Sequence, residues 1–273
     1  MTDRPRAYKT EGVILRRRNI GEADTIFTVF SASLGKSDAI ARGVRKARSH
    51  MRGHLEPLTR SRLMLARGRS LDVFTQAETI DPYRHLHEDL EQSALGVYCC
   101  ELIDRFGAEN MEQEDVYLLL VDTLAAIDGG APGHIARYFE VQLLALTGYA
   151  LRLHGCALCN ARLPEEDTLI SAPAGGLVCI ACRARAGTGR IISVRAVKVL
   201  RFASSTTLER FAALRIDPDT EHEVALAIGE SLRTALDRDP ASARYLEQVR
   251  RLTPAAERPM NAEPERLEPA DSI

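Results

Sequence analysis

Four of the six cysteines fall in two C-x-x-C pairs, Cys156/Cys159 and Cys179/Cys182, with 19 residues between the pairs. The segment 155–183 must therefore fold back so that two short turns face each other. The spacing fits the C-x2-C…C-x2-C signature of a zinc site. Each turn presents two thiolates, and four thiolates fill a tetrahedral shell with no position left for water or substrate. One structural Zn²⁺ on Cys156, Cys159, Cys179 and Cys182 is the expected cofactor. A thioredoxin-like redox pair would come singly on a βαβ unit, and none is visible. His154, two residues before Cys156, is a rival donor that four thiols make unnecessary. Gly175-Gly176 permits a tight turn ahead of the second pair, and Asn160 after the first tolerates left-handed backbone. Cys99 and Cys100 are adjacent in an apolar stretch. On a helix they point about 100° apart, so they cannot share an ion and are read as core.

The pattern of apolar residues changes near residue 80. Before it, Tyr8–Arg18, Asp24–Phe30, Gly35–Ala41, Leu58–Leu65 and Leu71–Glu78 alternate or are apolar on both faces, with glycine-bearing turns between them. Five short strands predict a small barrel or sandwich. From Pro82 the step becomes three and four: Leu86, Leu90, Ala94, Val97, Leu102, Ile103 and Phe106 up to Gly107. Val116–Leu124 repeats it up to Gly129-Gly130, and Ile135–Leu146 up to Gly148. Further helices are expected over Val194–Ala203, Glu221–Ala235 and Ala241–Leu252. Residues 155–190 show no period. The expected class is thus α+β and multidomain: a barrel over 1–80, then a helical domain over 81–252 interrupted by a four-cysteine zinc element at 155–183. The last segment, 253–273, carries Pro254, Pro259, Pro264 and Pro269 among many charges and is expected to be disordered.

A net charge of −2 conceals a strong asymmetry. Residues 1–80 hold 16 Lys/Arg against 8 Asp/Glu, and the remainder holds 20 against 30. A basic third on an acidic remainder suggests a polyanion-binding module. Arg42–Arg52 has five Lys/Arg and no acid in 11 residues, too polar for a core. A five-stranded barrel with a basic face is the design of an OB-fold, which grips single strands in a cationic groove. The candidate DNA contacts are Arg16, Arg18, Lys36, Arg42, Arg45, Lys46, Arg48, Arg52, Arg60 and Arg62. Residues 1–80 contain only Tyr8, Phe27, Phe30 and Phe74 as aromatics, and Phe27 and Phe30 lie in the most apolar strand. Binding is therefore expected to be phosphate-dominated and sequence-independent, leaving base edges free to pair.

Enzyme signals are weak, and no catalytic residues are expected. His54-Leu-Glu56 matches the H-x-E of zinc deaminases, but neither C-x-x-C follows a proline and the first lies about a hundred positions away. No phosphate loop, G-x-S-x-G or H-E-x-x-H occurs. The polar start predicts no secretory signal, and no 18-residue uncharged apolar run predicts a membrane span. A cytoplasmic chain is expected. The alternative to a DNA-binding protein is a zinc-stabilised interaction adaptor whose barrel binds protein.

Several segments together carry a family resemblance. They are Gly12-Val-Ile-Leu-Arg-Arg-Arg-Asn-Ile-Gly-Glu-Ala-Asp24, Ala41-Arg-Gly-Val-Arg-Lys46, Glu56-Pro57 and Tyr138-Phe-Glu-Val-Gln-Leu-Leu-Ala-Leu-Thr-Gly-Tyr149, with Gly175-Gly176 ahead of Cys179. In this order, over roughly 8–250, the chain resembles the bacterial recombination mediator family RecO. The resemblance implies an OB-fold, a helical domain and a zinc element. It also implies binding of single- and double-stranded DNA, annealing of complementary strands, and DNA repair and recombination close to the nucleoid. The partners it implies are RecR and the C-terminal tail of single-stranded-DNA-binding protein, in the service of loading RecA. Whether RecF takes part stays open.

Overall fold

A computed structural model describes residues 6–237 and 239–252; the expected disordered tail, 253–273, lies outside the described residues. Five strands, β1 (Ala7–Ile20), β2 (Asp24–Ser31), β3 (Gly35–Ala41), β4 (Arg60–Ala66) and β5 (Asp72–Asp81), close into a barrel in the order β1-β2-β3-β5-β4. Neighbours are antiparallel except β3 and β5, which pair parallel through Ala39–Asp72 and Ile40–Val73. This is the five-stranded OB arrangement.

The barrel has two buried surfaces. Its interior holds Ile14, Phe27, Val29, Ala39, Leu55, Leu63, Leu65 and Phe74. Val13, Leu15, Phe30 and Leu58 point the other way, into the core of the helical domain. Pairing between β1 and β2 slips between Ile14 and Arg16, a bulge that lets Val13, Ile14 and Leu15 all be buried. That explains strands apolar on both faces: one face fills the barrel and the other packs on helices. The expected strand at Leu58 starts two residues later. Leu58 takes φ 63°, its N–H donates to the Ile14 carbonyl at 2.9 Å, and its side chain reaches the helix at Gly96.

The helical part begins with α1 (His85–Glu88) and α2 (Leu90–Phe106), followed by α3 (Glu114–Asp128) and α4 (Ile135–Leu146). The single helical face predicted from Leu86 to Phe106 is broken at Asp89. That residue is extended, and its carboxylate accepts the Gln92 N–H at 2.8 Å, an N-cap that restarts the helix. The loop after α2 reaches back to the barrel. Gly35, at φ 59°, lies so close to the Met111 and Ala108 carbonyls that a Cβ would sit 2.4 and 2.5 Å from them. Only glycine fits this junction.

The segment without helical period contains β6 (Thr168–Ser171), β7 (Gly176–Val178) and β8 (Arg190–Ile192), a small antiparallel sheet in the order β7-β6-β8. Then come α5 (Val194–Ser205), α6 (Leu208–Ala212), α7 (Pro218–Leu236) and α8 (Ala241–Leu252). Asp217 caps α7 through the Thr220 N–H at 2.9 Å, with Pro218 at the first helical position. No helix of the described residues is long and apolar enough to cross a membrane.

The last helix of the described residues, α8, packs on α2. The Glu101 carboxylate accepts the backbone N–H groups of Ala241 and Ser242 at 2.9 and 2.7 Å and the Ser242 hydroxyl, and is paired with Arg105. Burial pushes Glu101 up, but these donors outweigh it and hold the carboxyl below its ordinary range. A depressed carboxylate stabilises above its unfolded range and loses that contribution as pH falls through the folded value. Hydrogen exchange should show α8 opening before α2–α4 on acidification. Glu101→Ala should reproduce this at neutral pH, at a cost of about 1–2 kcal/mol, as for a lost N-cap. Uniform exchange in α8 and α2 would refute the clamp.

Candidate functional sites

The four cysteines of the sequence signature converge. Their sulfurs all lie within 4.8 Å of one another. A tetrahedron of ~2.3 Å metal–sulfur bonds has edges of roughly 3.8 Å. The Cys159 and Cys179 sulfurs are 3.7 Å apart. The donor set therefore has the size and chemistry of a four-thiolate shell, and these cysteines could hold one metal ion.

Local backbone chemistry builds both turns. In the first, the Cys156 N–H donates to the Ala161 carbonyl at 2.9 Å and the Asn160 N–H to the Cys156 carbonyl at 2.8 Å; Asn160 takes φ 62°. The Ala157 N–H donates to the Leu177 carbonyl at 2.7 Å and so ties this turn to β7. The second turn leaves β7 at Cys179 and continues as a short 3₁₀ segment, Ile180–Arg185. Ahead of it, Gly176 has φ 151°, and a Cβ there would meet the Arg152 carbonyl at 2.3 Å. Gly176 is thus needed for close backbone approach between Arg152 and β7, while Gly175 supplies a left-handed turn position at φ 76°.

The surroundings of Cys156 favour its thiolate. Burial pushes the Cys156 thiol up, but the N–H groups of Cys179, Cys159 and Leu158 outweigh it and bring it down to about 6. The Arg185 guanidinium donates to the Cys182 sulfur at 3.1 Å. For Cys159 the Ala161 N–H favours the thiolate, but proton sharing with Cys156, Cys182 and Cys179 outweighs it and raises that thiol. Four sulfurs this close cannot all ionise without a cation among them. A soft divalent ion would meet that demand, and a four-thiolate shell would leave it no open position. His154 is exposed and is not in the cluster. Cys99 and Cys100 are fully buried, and burial raises both thiols, Cys100 to about 12.

The ten candidate cations separate into two groups. Arg16 meets Asp104 at 2.7 Å; Arg60 lies between Glu11 and Asp81 at 3.3 and 3.0 Å; Arg62 lies between Glu11 and Glu78 at 3.2 and 3.4 Å. Lys36 is 17% exposed and donates to the Asp104 carbonyl at 2.5 Å, with Asp104 and Glu109 carboxylates beside it. These four join strand to strand, or barrel to helices. Arg18, Arg42, Arg45, Lys46, Arg48 and Arg52 are exposed with no carboxylate partner among the described residues. Five of them lie on the segment between β3 and β4. This segment folds back on the barrel: Val44 is buried, the Gly43 N–H donates to Asp24 at 2.7 Å, and Arg45 donates to the Gly21 carbonyl at 3.1 Å. An uncompensated cationic ridge results. Spacing alone did not reveal which cations the strands neutralise, because Glu11, Glu78, Asp81 and Asp104 are brought in by register and by α2.

All four barrel aromatics are engaged. Phe27 and Phe74 pack edge to face inside the barrel at 5.9 Å, and Phe30 packs against Tyr117 at 6.5 Å. The Tyr8 hydroxyl donates to Asp72 at 2.7 Å, while Arg67 lies 4.5 Å over its ring. No free ring remains for base stacking among the described barrel residues.

Comparison with known proteins covers both halves of the chain. Family models described as "Recombination protein O N terminal" and "Recombination protein O C terminal" match residues 5–83 and 87–244. A curated protein of Roseiflexus sp. (strain RS-1), named DNA repair protein RecO, is 38% identical over 253 residues, 91% of this chain and 88% of the relative. Proteins of the same name from Dehalococcoides mccartyi (strain CBDB1) and Desulforudis audaxviator (strain MP104C) are 34% and 36% identical. These alignments cover 90% and 89% of this chain and 98% and 97% of the relatives.

Proposed function

The chain belongs to the RecO family of DNA repair and recombination proteins, and from that premise we propose that it binds single- and double-stranded DNA through the barrel and anneals complementary strands. The observation that carries this reading is the ridge Arg42–Arg52, whose five cations have no carboxylate partner among the described residues. Cations without counter-charges exchange small ions for phosphates, so affinity comes from counterion release and falls steeply with salt. Contacts of this kind hold the backbone and ignore sequence. Two strands gripped by phosphates keep their base edges free, and pairing between them can proceed without ATP.

The role extends to loading RecA on single strands coated by single-stranded-DNA-binding protein. The partners are RecR and the C-terminal tail of that coating protein, with RecF a further candidate. The chain is a mediator and not an enzyme, and works in the bacterial cytoplasm at the nucleoid. Zinc is the ion we assign to Cys156, Cys159, Cys179 and Cys182. When bound it cross-links the two turns and neutralises part of the thiolate charge; the chain itself holds the sulfurs in place and shields Cys156 and Cys182 from solvent.

Annealing tests the reading directly. Complementary oligonucleotides, each coated with single-stranded-DNA-binding protein, should pair faster with the full-length protein, and less so at higher salt. No acceleration by folded protein would leave the adaptor. Lys46→Ala with Arg48→Ala should weaken binding about equally across sequences and flatten the log–log salt slope by roughly 1–2. Arg45 is the poorer choice because it also holds the ridge to Gly21. An unchanged slope in the double variant would move the DNA path off the ridge.

A further inference from the structure

The cationic ridge also forms one wall of a concavity. Its end, His50, Met51 and His54, faces the outer surface of β4 and β5 across a groove of about 410 Å³. This lies in the roughly 300–1,000 Å³ range of small-ligand sites. Lys9, Met64 and Gln76 form a row across three strands on the opposite wall, since Met64 is the register partner of both Lys9 and Gln76. Met51 and Met64 both line the groove, while the neighbouring register pair Leu63 and Ala77 belongs to the interior side of the barrel. Around them stand groups that donate or accept hydrogen bonds. The Thr79 N–H donates to His54 Nδ1 at 3.3 Å, which orients that ring. Glu78, the one carboxylate on the rim among the described residues, is paired with Arg62 at 3.4 Å.

We propose that this groove binds an unpaired nucleotide of the DNA strand, with its base against Met51 and Met64 and its phosphates on Lys9 and the end of the ridge at Arg48 and Arg52. The proposal rests on the DNA-binding reading and adds a base-binding position to it. Single-strand binders ordinarily stack bases on aromatic rings. Here every barrel aromatic is buried or covered. A polarisable thioether makes favourable contact with an aromatic face, and its flexible chain adapts to purine or pyrimidine. The site is therefore base-tolerant, and it discriminates single strand from duplex, because a paired base cannot leave its stack without unpairing.

Methionine-methyl NMR of the full chain tests this. The sequence has five methionines, and Met111, 62% exposed on the helical side, serves as an internal reference. Met51→Leu and Met64→Leu assign the two groove signals. A short oligodeoxyadenylate should move both upfield by ring current and leave Met111 in place, while a duplex of equal length should bind without moving them. Met64→Ala should lower single-strand affinity roughly three- to tenfold and leave duplex affinity within about twofold. Oligonucleotide binding without a Met51 or Met64 shift would overturn the groove and spare the DNA-binding reading. Equal shifts with duplex would also overturn it, since the groove would then be following phosphates. Failure of both probes to bind at low salt would sink both readings together.

Discussion

Cys182→Ser is expected to abolish metal binding at the four-cysteine cluster and to unfold the segment between Leu151 and Ile192, while the barrel remains folded. The size of the effect follows from what the ion does. The two turns meet through sulfur, and the sheet they carry has strands of only three to four residues. A sheet that short is not stable by itself. Apparent stabilisation by structural zinc in small peptides is about 10–16 kcal/mol, and most of that should vanish here. Metal analysis should fall from one equivalent to none. Hydrogen exchange should accelerate in β6–β8 far more than in β1–β5. His154→Ala and Cys99→Ala should keep the ion, because neither residue lies in the cluster. Full metal content in Cys182→Ser would show that the ion sits elsewhere. The measurement belongs on the full chain: a severed barrel would expose Val13, Leu15, Phe30 and Leu58, all buried against the helices.

Glu140→Gln is expected to destabilise the helical domain by about 3–5 kcal/mol, the usual cost of leaving one partner of a buried ion pair alone. Arg137 and Glu140 lie one turn apart on α4 and meet at 2.8 Å, with side chains 8% and 1% exposed. The Tyr98 hydroxyl on α2 donates to Glu140 at 2.5 Å. Burial raises the Glu140 carboxyl, with the Arg137 charge and the Tyr98 hydrogen bond opposing. Removing the carboxylate charge strands a guanidinium that nothing else nearby neutralises as well. Urea denaturation should show the loss as a lower midpoint at unchanged slope. Arg137→Met with Glu140→Leu should recover much of it, since apolar replacement of both partners removes the desolvation cost as well as the attraction. A single variant as stable as the parent would mean that water reaches the pair and that it is not buried in solution.

The four-cysteine cluster was readable almost whole in the sequence, because each of its two cysteine pairs is local. Two residues between cysteines force a turn, and the residue types decide the chemistry; even the left-handed turn position at Asn160 followed from its side chain. The barrel was readable as five strands, because alternation and glycine-bearing turns are short-range signals. The cationic surface was readable only in part. Its ridge is a continuous run, whereas the neutralised members, Arg16, Lys36, Arg60 and Arg62, gain their acidic neighbours from strands and helices far away in the chain.

Other features were decided by tertiary structure alone. The break in the first helix needed the Asp89 cap, which a smooth apolar period conceals. The clamp of Glu101 on Ala241 and Ser242 joins residues 140 and 141 positions apart. The groove between Met51 and Met64 exists because the segment after β3 folds over β4. Sequence by itself determined what depends on neighbours a few residues apart: turns, periodicity, a chelating spacing and the sign of a charge run. Tertiary structure decided which cations stay uncompensated and which apolar strand faces meet helices, because Coulomb attraction and burial depend on distance in space, and that distance is set only when the whole chain has packed.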